Sequence, residues 1–177
     1  RTDFVEIHVK HRKEGWFLSG GYFMLPMNIS KLITIDDIYK GFCFNLKWLK
    51  SNGLKTSFKN NKLTAKGFKS WFLNAFTPTK ASWNGHNASG WKKDLIAING
   101  LDERMQYGGQ DRELGERLFN YGIKSKQIRY SSICIHLDHP RGYKNQKSID
   151  KNLEIRRTVK SEQKNWTNYG ILKSGKQ

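Results

Sequence analysis

Asp111 stands directly after Gly108-Gly109-Gln110 and opens a run whose apolar residues Leu114, Leu118 and Tyr121 recur at i, i+4 and i+7, ending at Gly122. That spacing predicts a helix with Asp111 in its first turn, a buried face formed by the three apolar residues, and a glycine stop. Two consecutive glycines admit backbone angles closed to other residues and let a ligand approach the main chain. A carboxylate at a helix N-terminus is held ionised by the helix dipole, so it is available as a proton acceptor, though a weaker base. The same position suits an ordinary capping aspartate, and the local residues leave both readings open. A second group is His136-Leu137-Asp138-His139-Pro140-Arg141-Gly142. It follows an expected strand over 128–136, with Ile133 and Ile135 on one face and Cys134 and His136 on the other. The C-terminal ends of strands are where sheet-based sites collect ligands. The pair His136 and His139 reads either as hydrogen-bonded structural histidines or as metal ligands.

These residues fall within a wider pattern. Gly85-x-Asn87, the run Asp94 to Asp102 containing Asn99-Gly100-Leu101-Asp102, then Gly108-Gly109-Gln110-Asp111, Arg117 and Gly122 resemble the C-terminal segment of family 2 glycosyltransferases and the related galactosyltransferases. The resemblance covers Arg1 to about Tyr143. It implies an α/β fold, the acceptor-side half of a GT-A nucleotide-diphospho-sugar transferase over residues 1–145, with a mixed sheet flanked by helices. Residues 146–177 are then a basic C-terminal helix and tail. The implied reaction is metal-dependent, inverting transfer of a hexose from a nucleotide-diphosphate sugar to a saccharide or lipid-linked acceptor. The implied setting is bacterial surface polysaccharide synthesis in the cytoplasm, peripheral to the inner membrane.

By the same resemblance Asp111 matches the catalytic base, and His136, with His139 in reserve, matches a ligand of Mn²⁺ or Mg²⁺. Trp83, Asn87, Gly109 and Gln110 become candidates for sugar and acceptor contacts, and Arg112 and Arg141 for phosphate. One departure is Gln110, where the family carries Glu: an amide hydrogen-bonds a sugar hydroxyl but accepts no proton at neutral pH. The opening Arg1-Thr2-Asp3-Phe4-Val5 resembles the segment that follows the family's D-x-D motif. The nucleotide half is therefore expected upstream, this fragment alone is expected to be inactive, and positions 111 and 136 are expected to open into one hollow.

Composition bounds the alternatives. Hydrophobic residues at 37% and aromatics at 13% over 177 residues indicate a folded chain with one sizeable core, a single domain or lobe. A net charge of +17 calls for an anionic partner: nucleic acid, an anionic membrane surface or a phosphorylated substrate. Cys43 and Cys134 are far apart with no C-x-x-C, which argues against a zinc knuckle or a disulfide framework. No apolar run is long enough to span a membrane. The rival functions are a basic nucleic-acid-binding module and a carbohydrate-binding lobe without catalysis.

The elements that must position the candidates follow in order. Asp3 caps a helix whose spacing 4, 5, 8 and 9 is held by Phe4, Val5, His8 and Val9; His8 and His11 could face a metal from one side of it, but in a basic helix they are expected to be exposed and solvated. Trp16 to Leu25 reads as one strand with a bulge at Gly20-Gly21, ended by Pro26. Thr34 to Asp37 resembles a capping box opening a helix through Ile35, Ile38, Phe42, Leu46 and Leu49 to a stop at Ser51-Asn52-Gly53. Residues 54–80 interleave lysines with Phe58, Phe68, Trp71, Phe72 and Phe76. Three readings fit them: a single-stranded nucleic-acid site, an acceptor loop stacking on sugars, or an amphipathic segment with aromatics inward, which is preferred because no nucleic-acid module accompanies it. A strand over Trp83–Ser89, a short helix over Trp91–Ile98 and a turn at Asn99-Gly100 come next. A helix over 148–166 has Ile149, Leu153 and Val159 as its apolar contacts and basic outer faces, solvated or against an anionic membrane. Residues 167–177 read as a tail.

Overall fold

A computed structural model describes residues 1–173. In chain order the elements are α1 (Phe4–His11), β1 (Trp16–Ser19), β2 (Gly21–Met24), α2 (Met27–Ser30), α3 (Ile35–Tyr39), α4 (Leu46–Ser51), α5 (Asn61–Thr64) and α6 (Gly67–Ala75). There follow β3 (Ala88–Ser89), α7 (Lys92–Ala97), α8 (Gln110–Asn120), β4 (Lys124–Gln127), β5 (Ile133–His136) and α9 (Gln146–Ser161). The architecture is mixed α/β, as expected, and the chain divides into two compact units.

The first unit comprises Arg1–His11, Gly20–Lys80 and Gln127–Pro140. Its sheet is the parallel pair β2 and β5, in register from Gly21 opposite Ile133 to Met24 opposite His136. Phe23 and Ile133 from these strands pack with Leu25, Ile29, Leu49, Leu54 and Leu63. Gly21 is required here: a Cβ would lie 2.5 Å from the Arg129 carbonyl oxygen, a backbone atom that cannot move aside. Strand pairing is interrupted at Gly20: β1 pairs with β3 and β2 with β5, so the single strand expected over 16–25 is two strands in two different sheets.

The capping box is present: Thr34 Oγ1 accepts from Asp37 N, and Asp37 Oδ2 accepts from Thr34 N. The helix it opens stops early, because Gly41 takes a left-handed φ of 72°. A 3₁₀ turn over Phe42–Phe44 and then α4 carry on, so the periodicity of 35–49 spans three short elements. Ile35 and Ile38, expected inside, are exposed. His8, expected to be solvated, is buried against Phe4 at 4.9 Å between ring centroids. Cys43 and Cys134 are free thiols, both pushed above the usual thiol range by burial.

The second unit comprises Arg12–Ser19, Ala81–Lys126 and Arg141–Gln177. Here β1 lies between β3 and β4, antiparallel to β3, with Leu18 opposite Ser89. Phe17 on β1, Ile98, Leu114, Leu118 and Ile123 form its core. The strand expected over 83–89 contracts to Ala88–Ser89, and that over 128–136 to β5. α7 and the left-handed turn at Asn99 (φ 66°) and Gly100 (φ 70°) occur where expected.

The end of the described chain is not a loose tail. Thr167 and Gly170 are buried, Asn99 Nδ2 donates to the Thr167 and Leu172 carbonyls, and Leu172 N donates to Asn99 Oδ1. The helix expected to reach Trp166 ends at Ser161. Residues 174–177 of the expected tail lie outside the described residues.

Candidate functional site

The helix that opens at Gln110, with Asp111 in its first turn, has its start and stop both built from backbone angles that glycine reaches. Gly108 (φ 113°) and Gly109 (φ 90°) are left-handed, Gly109 is the N-cap, and Gly122 (φ 95°) lies just past the end. A side chain at either glycine before the first turn would press on α9. A Cβ at 108 would meet Ile149 Cγ1 at 3.2 Å, and one at 109 would meet Arg156 Cδ at 3.3 Å. The turn is thus packed against α9, which anchors it: Asn152 Nδ2 donates to the Gln106 and Gly108 carbonyls at 3.0 Å each. Leu114 and Leu118 are buried as the periodicity demands, whereas Tyr121, the C-cap, is exposed.

On this scaffold Asp111 is half-buried and oriented. Its Oδ2 accepts from Gly85 N at 3.1 Å and its Oδ1 from Arg112 N at 2.8 Å. Each oxygen keeps a further lone pair for a ligand. Gly85 belongs to the loop that carries Trp83 and Asn87, and that loop is seated on α8 at Gly115. A Cβ on Gly115 would lie 2.9 Å from Trp83 Cβ and 3.0 Å from Trp83 N. Trp83 packs its ring on Phe17 at 5.5 Å and closes over Gly90. Asn87 is 2% exposed. Asn84, two residues on from Ser82, donates to Ser19 Oγ at 2.8 Å and fixes the loop to β1.

The structure therefore brings Trp83, Asn87, Gly109, Gln110, Arg112 and Asp111 into the second unit, with Gly85 as the residue that touches Asp111. Gln110 folds back on its own turn, its Oε1 accepting from Gly108 N at 3.0 Å. Arg112 is exposed, and Arg141, also in this unit, is half-buried.

Beneath the first turn lies a charged pair that the motif reading did not single out. Glu113 and Arg117 are completely buried, with Glu113 Oε1 accepting from Arg117 Nε at 2.6 Å and Oε2 from Nη2 at 2.9 Å. The guanidinium also donates to the carbonyls of Ile98 and Gly100. Arg117, one of the residues carrying the family resemblance, thus clamps α8 to the Asn99-Gly100 turn. Its i, i+4 spacing from Glu113 was visible in the sequence; the carbonyl partners were not. Asp102, from the same run, is buried and holds Arg104 at 2.7 Å and Thr167 Oγ1 at 2.8 Å. Burial alone would raise its carboxyl, but the hydrogen bonds from Arg104 and Thr167 outweigh burial and keep it below the usual carboxylate range.

His136 and His139 belong to the first unit. β5 presents His136 at its C-terminal end, where its carbonyl accepts from Leu25 N at 3.0 Å and its ring stands 5.8 Å from Tyr22 and 5.7 Å from His139. Its Nε2 is enclosed and has no hydrogen-bond partner among the described residues, an unmet nitrogen of the kind a metal ion would satisfy. His139 Nδ1 lies 2.9 Å from the Pro140 carbonyl. A carbonyl oxygen can only accept, so Nδ1 carries the proton in the neutral ring and Nε2 the lone pair. Among the described residues, no three His, Cys, Asp or Glu side chains cluster as a complete metal site. His136 fits a single ligand position and no more. Comparison with family models, with curated proteins and with solved structures finds none that matches this chain.

Proposed function

We propose that the chain is the acceptor-side part of a GT-A glycosyltransferase that moves a hexose, with inversion, from a nucleotide-diphosphate sugar to a saccharide or lipid-linked acceptor. The observation that carries this reading is the Asp111 carboxylate: partly open, on the first turn of a rigid helix, behind two left-handed glycines, and aimed by the Gly85 N–H at 3.1 Å. A base must be held in a fixed direction to meet an incoming hydroxyl. Asp111 takes the proton from the acceptor hydroxyl as its oxygen bonds to the anomeric carbon. The bond from that carbon to the diphosphate oxygen breaks on the opposite face, and the diphosphate departs with the electron pair. Arg112 and Arg141 are the cations of this unit assigned to the phosphates.

A divalent cation, Mn²⁺ or Mg²⁺, when bound, neutralises the charge on the departing diphosphate. His136, whose Nε2 has no hydrogen-bond partner among the described residues, would supply one nitrogen to it. The setting is the cytoplasmic face of a bacterial membrane, in surface polysaccharide synthesis. No helix among the described residues is long and apolar enough to cross a membrane, which suits peripheral attachment.

The test is thermal unfolding of the complete protein with a nucleoside diphosphate and Mn²⁺, or with an oligonucleotide. A ligand that binds only the native state raises the melting temperature. The proposal expects a rise with the diphosphate and Mn²⁺; a rise with the oligonucleotide alone contradicts it.

A further inference from the structure

α6 is built inside out. Its inward side is polar: Ser70 is buried, its Oγ donating to the Gly67 carbonyl at 3.0 Å, and Asn74 Nδ2 donates to Ser131 Oγ at 2.9 Å while its Oδ1 accepts from Tyr130 N at 2.8 Å. The outward side carries Phe68, Trp71, Phe72 and, at the C-cap, Phe76, which are 76%, 59%, 44% and 69% exposed. These are positions i, i+3, i+4 and i+8, one stripe of a helix. The aromatics expected to point inward therefore point to solvent, because the hydrogen bonds of Asn74 and that from Ser131 Oγ to Ser70 Oγ at 3.4 Å fix the opposite face against the loop at 130–131.

The rings touch one another. Phe72 and Phe76 lie 4.5 Å apart, Phe68 and Trp71 5.4 Å, and Phe68 and Phe72 6.4 Å, all tilted. The result is a continuous apolar patch, of a kind that marks an interaction surface. Along the chain that carries it the charge is of one sign. Between residues 38 and 80 the sequence has nine lysines and no Asp, Glu or Arg, and Lys55, Lys59, Lys66, Lys69 and Lys80 are exposed.

We infer that the α6 stripe is an interfacial anchor that lies in the headgroup region of an anionic lipid bilayer, rings inserted and flanking lysines on the lipid phosphates. At nine residues the helix is about 13 Å long, too short to span and suited to lying in the plane of the surface. Phe and Trp settle at the headgroup boundary, and lysines beside them gain from an anionic leaflet. Nucleic acid fits less well: the rings are tilted against one another in contact instead of standing apart as separate platforms for bases, and α6 itself carries one lysine, Lys69. A second copy of the same face fits less well still, since it would bring one lysine-rich surface against another. The inference does not depend on the transferase reading.

The test is flotation of the full chain with vesicles of phosphatidylglycerol and phosphatidylethanolamine, against vesicles of phosphatidylcholine alone. The wild type is expected to float with the anionic vesicles and to bind phosphatidylcholine at least about tenfold more weakly. The combined change Phe68→Ser, Trp71→Ser and Phe72→Ser is expected to lower anionic binding at least about tenfold while the melting temperature holds, because these side chains are exposed. Lys66→Glu with Lys69→Glu, a change that leaves the rings in place, is expected to weaken anionic binding and leave the weak phosphatidylcholine binding unchanged. Undiminished flotation of the serine variant overturns the inference. So does an oligonucleotide complex or a dimer, seen by sedimentation, that the same serine changes abolish.

Discussion

The Asp111 carboxylate accepts a hydrogen bond at 3.1 Å from the backbone N–H of Gly85, a residue 26 positions earlier in the chain. This contact turns a residue that could serve merely as a helix cap into one whose second oxygen is aimed by a separate loop. Asp111→Asn keeps one acceptor oxygen for Gly85 N but sets its amide donor against the Arg112 N–H, and is expected to cost less than about 1 kcal/mol. Asp111→Ala loses that acceptor and is expected to cost about 1 kcal/mol. Urea unfolding of the two variants checks both values.

The loop that carries Gly85 rests on Gly115. An added Cβ there would lie 2.9 Å from Trp83 Cβ and 3.0 Å from Trp83 N, so the main chain of the loop must retreat. Gly115→Ala is expected to destabilise by about 1–3 kcal/mol despite the better helix propensity of alanine, as measured by the shift of the urea midpoint.

The Glu113–Arg117 pair has no exposure at all. Removing one partner leaves the other charged and buried, so Glu113→Gln or Arg117→Met is expected to cost about 3–5 kcal/mol. Changing both together to apolar residues of similar size is expected to recover much of that loss. A double-mutant cycle by chemical denaturation reads the coupling.

Asp102 predicts an acid-sensitive attachment of residues 167–173. Its carboxyl lies below the ordinary range in the folded protein, so its contribution is fully present above the unfolded value, about pH 4, and is lost as pH falls through the folded value. Asp102→Asn should therefore lower stability at neutral pH by about 1–3 kcal/mol and flatten the fall of stability below about pH 4. Unfolding free energies measured across that range test the slope.

How far the sequence could be read depends on how local each cause is. The Thr34 capping box, the Asn99-Gly100 turn, α7 and the start of α8 rest on neighbours within a few residues, and each was legible. Exposure of the α6 stripe was not. Periodicity tells which residues share a face, whereas which face is covered depends on Ser131 and Tyr130, some sixty residues away in the chain. The single strand expected over 16–25 failed for a similar reason, since its two halves pair with different distant segments, Ala88–Ser89 and Ile133–His136. Asp111 was found by its glycines, but Gly85 as its orienting partner could not be. The tail at 167–173 looked unstructured because its anchor, Asn99, lies in another part of the chain.

The most direct test of the account is single-turnover sugar transfer by the complete protein carrying Asp111→Asn, with donor binding measured on the same sample. The account predicts turnover lower by about 10²–10⁴-fold with donor affinity retained, since the amide keeps the Gly85 contact but takes no proton. Turnover equal to wild type would contradict it.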